Sequence, residues 1–119
     1  MKPLLAALFV FCAHTAPSFA DQAEIKRVTA RETGSGWSFD VTISHPDTGW
    51  DHYADGWSVH APDGSELGFR KLAHPHENEQ PFTRSLSGVQ IPDGVTEVTI
   101  RARDSVHGWS DDSYLVRLK

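Results

Sequence analysis

Sulfur is almost missing from this chain. It has one Cys, Cys12, and one Met, Met1, both within the first twenty residues. Long apolar runs are missing too. Leu4 to Ala13 is the most apolar stretch, and it stops short of the roughly 20 residues that a membrane span needs. Basic residues are few, 11 Lys and Arg against 16 Asp and Glu, so no cationic stripe exists to neutralise phosphates, and nucleic acid is excluded as a partner. At 119 residues the chain has no room for a dinucleotide-binding enzyme fold or a β/α barrel.

The start of the chain explains part of this. Met1-Lys2-Pro3 gives a short positive segment, the apolar run follows, and Ser18-Phe19-Ala20 sets small residues three before and one before a cut. This pattern predicts a secretory signal peptide over residues 1–20, cleaved after Ala20, and one domain over residues 21–119. Cys12 is a poor lipid acceptor, because bulky Val10 and Phe11 precede it. The mature chain would then hold no sulfur and carry a net charge of −6, since Lys2 is lost from a total of −5. Disulfides, thiol catalysis and blue copper fall together. A periplasmic or secreted location follows, with no membrane span in the mature chain.

What the sequence does hold is period-2 alternation. Trp37, Phe39, Val41 and Ile43 alternate with polar residues, as do Val98, Ile100 and Ala102, and Tyr114, Val116 and Leu118. Pro62-Asp63-Gly64 and Pro92-Asp93-Gly94 are turn chemistry. The expected fold is all-β, with strands at 24–31, 37–44, 57–61, 66–72, 82–91, 95–103 and 113–118. Seven strands in about 100 residues suit a single antiparallel sandwich. Val95 to Asp104 resembles the sixth strand of fibronectin type III and related immunoglobulin-like modules. His74 to Ser85 and Asp104 to Trp109 are similar to stretches of small exported bacterial proteins, a likeness that implies no activity.

In such a sandwich alternate loops share an end. Three loops, 45–56, 73–81 and 104–112, hold His45, His52, His74, His76 and His107, five of the six histidines after residue 20. Trp50, Tyr53 and Trp109 lie there as well. Binding residues concentrate on loops of a rigid scaffold. In His74-Pro75-His76 an extended backbone turns both imidazoles to one side. With His107, His45, His52, Glu79 or Asp104 they are candidate ligands for Cu(II) or Zn(II), the ions that imidazole sets favour. A polar loop whose histidines bond to backbone or carboxylate is the bland alternative.

Trp50, Tyr53, Trp109 and Arg84 are candidate contacts for an exported protein or glycan, in a metal-free use of the same loops. Arg84 shares the strand phase of Phe82 and calls for a carboxylate such as Glu79, Asp104 or Asp55. Asp104-Ser105-Val106-His107 holds triad residue types but packs them into four consecutive positions, so no catalytic residue is assigned and an enzyme is not expected.

Overall fold

The computed structural model describes residues 22–119, so the expected signal peptide lies outside the described residues. The fold is all-β, with eight strands in two antiparallel sheets. Strands β1 (Glu24–Thr33), β2 (Gly36–Ser44) and β5 (Phe82–Val89) form the first sheet in the order β1-β2-β5. Strands β3 (Ala54–His60), β4 (Glu66–Lys71), β6 (Glu97–Asp104), β7 (Gly108–Trp109) and β8 (Tyr114–Arg117) form the second. There β4 flanks β3, β3 pairs with β6, and β7 and β8 share the far edge of β6. No helix among the described residues is long and apolar enough to cross a membrane.

The alternation read from the sequence sets the two faces. Along β6, Val98, Ile100, Ala102 and Asp104 are buried while the residues between them are half-buried. Phe39, Val41 and Ile43 of β2 meet Trp57 and Val59 of β3 in the core, with Phe82 and Val116 beside them. Burying each large side chain of this kind contributes about 1.5–3 kcal/mol, which is why the register is firmly set. Gly68 permits close contact between the sheets, because a Cβ there would stand 2.9 Å from the Leu86 side chain. The two Pro-Asp-Gly turns form as the sequence predicts. Gly64 and Gly94 take φ of 88° and 84°, and the amides of Gly64 and Val95 bond back to the carbonyls of Ala61 and Pro92.

Most strand ends shift by one or two residues from expectation, and two differences are larger. β3 begins at Ala54 rather than residue 57, because Gly56 and Ala54 continue the pairing with β6. β7 lies inside the expected 104–112 loop, where Arg103 pairs with Trp109 and Asp104 with Gly108. The chain after β6 turns back at once and adds a two-residue strand, which a two-residue pattern could not announce.

Candidate metal centre

Three segments meet at one end of the sandwich: residues 45–53 after β2, residues 72–81 after β4, and residues 105–107 after β6. Backbone pairing ties two of them together. The Ser105 amide donates to the Tyr53 carbonyl at 2.9 Å, and the Tyr53 amide donates to Ser105 Oγ at 3.1 Å. Within the first segment Gly49, at φ 136°, reverses the chain so that Gly49 pairs with His52. That turn carries His52 back toward the end of β6. Gln80 links the other pair of segments: its amide oxygen accepts from the His45 backbone N–H at 3.0 Å, and its NH2 donates to the His76 carbonyl at 2.9 Å.

Asp104 stands at the centre. It closes the inward-facing series of β6 and is fully buried. One carboxylate oxygen, Oδ1, accepts from the amides of Val106 at 2.9 Å and His107 at 2.6 Å. The His107 ring lies at 3.1 and 3.2 Å from the two oxygens through Nδ1. Burial pushes the Asp104 carboxyl upward, but the His107 and Val106 amides and the His107 ring outweigh it and hold the group below the ordinary carboxylate range. Asp104 is therefore an anion in the interior at neutral pH.

Its ion-pair neighbours among the described residues are all imidazoles. His45 Nε2 is 3.7 Å from Oδ2, and His52 Nε2 is 3.4 Å from Oδ1. His45 and His52 meet edge to face at 4.7 Å, and His52 and His107 lie 5.0 Å apart by ring centroid. His52 Nε2 is buried without a hydrogen-bond partner, despite its closeness to Asp104. One donor atom from each of His45, His52 and Asp104 falls within 4.8 Å of the other two. Two nitrogens on a tetrahedral zinc at the usual 2.0–2.1 Å would be about 3.3 Å apart, so the set would have to draw in by up to about 1.5 Å to close on one ion. His45 and Asp104 are wholly buried, whereas the side chains of His52 and His107 are 21% and 36% exposed, so an ion would enter on their side.

The remaining candidate residues lie elsewhere. His74 and His76 do face one way, with ring centroids 4.5 Å apart, but outside this group. His76 is stacked on Phe82 at 3.9 Å, and its Nε2 accepts from Arg84 at 2.9 Å, while His74 Nδ1 donates to the Pro75 carbonyl. Burial, then the Arg84 charge and His74, push the His76 imidazole below its ordinary value. Glu79 lies 3.5 Å from Arg84, the carboxylate that inward-leaning arginine was expected to need. Arg84 also donates to the Thr83 carbonyl and leans over the Phe82 ring, so its guanidinium is already engaged.

Trp109 is not in a loop at all. It lies in β7 between Arg101 and Arg103, against His60 and Phe69 on the outer face of the second sheet. Trp50 is 68% exposed and touches Tyr53 edge to face at 5.6 Å. Sequence reasoning missed Asp47 and Gln80. Asp47 is buried against His45, and His45-Pro46-Asp47 repeats the His-Pro-x spacing of His74-Pro75-His76, which was the signal available for it.

No family model matches this chain. A Halomicrobium mukohataei protein with the description "Putative lipoprotein" is 38% identical to it over 96 residues, 80% of this chain and 47% of that relative. The chain thus spans about half the length of the curated relative it matches. Among solved structures, the superoxide reductase (1Fe-SOR) from Giardia intestinalis is similar at a TM-score of 0.47 and 16% identity, over 76% of this chain and 95% of that one. A likeness at that level carries no argument about chemistry.

Proposed function

We propose that this chain is an exported binding domain, periplasmic or secreted, that holds Cu(II) or Zn(II) through His45, His52 and Asp104, with His107 beside the open side. Residues 1–20 act as its signal peptide, and residues 21–119 are the working domain, an immunoglobulin-like sandwich in the broad sense. The grouping of strands one, two and five against three, six and eight supports that fold reading, although β4 joins β3 instead of the first sheet. The description of the Halomicrobium relative supports export. The reading is one of binding rather than catalysis.

One observation carries the metal assignment. A buried imidazole nitrogen without a hydrogen bond, His52 Nε2, sits 3.4 Å from a buried, ionised carboxylate, with a second imidazole nitrogen at 3.7 Å. A divalent cation between these atoms would give the His52 nitrogen the partner it lacks and add to the compensation of the buried Asp104 charge. Two imidazoles and a carboxylate with a free coordination position suit zinc, and imidazole ligation suits Cu(II).

The test is native mass spectrometry of the untagged protein exported with its own leader and titrated with each metal. The expected mass begins at Asp21, with one ion bound. Replacements His52→Ala and Asp104→Asn should each lose the ion, and His74→Ala should keep it. A wild type that takes up neither metal at micromolar concentration, or a His52→Ala protein that binds as well as wild type, refutes the assignment. A lipid adduct on Cys12 would instead refute cleavage after Ala20. The exposure of Trp50 favours a second, metal-free reading, in which that ring and Tyr53 contact an exported protein or glycan. Under that reading the metal titration is negative while the Trp50 surface remains the contact.

A further inference from the structure

We propose that the outer face of the second sheet binds a uronic-acid polysaccharide, with a sugar ring on Phe69 and carboxylates on Arg101 and Lys71. The face follows from strand phase. Trp57 and Val59 of β3 and Ile100 and Ala102 of β6 lie in the core, so Ser58, Arg101 and Arg103 point outward. Register sets Lys71, Gly56, Arg103 and Trp109 side by side in one row, and Phe69, Ser58 and Arg101 in the next. Lys71 and Arg103 stand two strand spacings apart, about 10 Å. Between them Gly56 leaves a gap that the Phe69 ring covers, since a Cβ on Gly56 would stand 2.6 Å from that ring. A cation, an apolar ring and a second cation thus follow one another across three strands.

The charges on this face are held in place and only partly compensated. The guanidinium carbons of Arg101 and Arg103 lie 5.5 and 5.3 Å from the centre of the Trp109 ring, so that ring orients both side chains before a ligand arrives. Arg103 pairs with Asp55 at 2.9 Å. Arg101 and Lys71 make no ion pair among the described residues. The chain carries a net charge of −5, yet register gathers three cations here, and Glu66 and Glu97 lie toward the opposite end of the sheet, paired in register with His60 and Arg117. A planar guanidinium fork matches a carboxylate. Phe69, 41% exposed, offers an apolar ring to the C–H face of a sugar. An acidic peptide fits less well. Extended peptides gain affinity from unpaired backbone at a sheet edge, whereas β3 and β6 are paired on both sides and this face offers side chains alone.

The test is isothermal titration of the untagged protein with oligogalacturonate, alginate and hyaluronate oligomers. Chelator is present throughout, so that the proposed metal centre takes no part. Wild type should bind at least one of the three, and more weakly as salt rises. Arg101→Gln should lose about tenfold or more in affinity, and Lys71→Gln about two- to fivefold. Trp50→Ala, on the other exposed aromatic surface, should bind as wild type does. Melting temperatures separate lost binding from lost folding, and if Arg101→Gln does not fold, Lys71→Gln and Phe69→Ala decide. A wild type that binds none of the three, or folded variants at Arg101, Lys71 and Phe69 that bind as wild type does, overturns the proposal. Poly-glutamate bound as tightly as the best uronate would make this a face for acidic peptides and overturns it as well.

Discussion

His76 shows how burial makes one side chain a pH liability. Its ring is sandwiched against Phe82 and bonded by Arg84, and Arg84 and His74 oppose its charging while Asp47 and Glu79 favour it. The balance lowers its pKa in the fold. The unfolded chain, with His near 6.5, therefore binds a proton more readily than the folded one. Stability from this group is complete above about pH 6.5 and is lost as pH falls below it toward the folded pKa. Urea midpoints should accordingly fall between pH 7.5 and pH 5.5, and His76→Phe, which keeps the ring stack, should flatten that fall. An unchanged slope in His76→Phe would place the pH dependence elsewhere. Asp104, also lowered, makes its contribution above the ordinary carboxylate range and loses it only in stronger acid.

Among the elements, the β1–β2 hairpin gives the clearest test of local backbone demand. Gly36 has φ of 128°, and a Cβ there would stand 2.7 Å from the Val89 carbonyl oxygen of β5. Gly34, two residues earlier, has nothing within 4 Å and no positive φ. Gly36→Ala should therefore cost about 2–3 kcal/mol in denaturant unfolding, whereas Gly34→Ala should be nearly neutral. Equal effects would mean that the hairpin relaxes around the added methyl. β6 was readable in advance because its alternation is unbroken over eight residues. β7 was not, because a two-residue strand has no period, and Trp109 owes its place to pairing with Arg103 rather than to any local signal.

In the whole molecule the two sheets act as a frame that brings distant loop residues to one point. A metal ion bound there would bridge the segment after β2 and the end of β6, and it would be absent from the unfolded chain. At a free zinc concentration 100 times its dissociation constant, the fold should gain about 2.7 kcal/mol, read as a rise in melting temperature by calorimetry. His52→Ala should abolish the rise. A rise that persists in His52→Ala would point to zinc bound elsewhere on the surface.

The sequence by itself determined the all-β class, most strand positions, both Pro-Asp-Gly turns and the end of the molecule where the histidines collect. These are local properties: side-chain alternation follows from strand geometry, and turns follow from Pro, Asp and Gly chemistry. It also pointed to His45, His52, His107 and Asp104, but it put His74 and His76 first as ligands and left open which of these residues converge. Only the tertiary structure decided that. His45 and His52 lie on the segment between β2 and β3 and Asp104 at the end of β6, and they meet because that segment and the end of β6 come together at one side of the core. His74 and His76 lie two residues apart, and the Phe82 ring and the Arg84 guanidinium beside them claim the His76 ring. Spacing along the chain sets which way neighbouring side chains can point, while convergence between strands depends on register and sheet packing, which no short motif encodes.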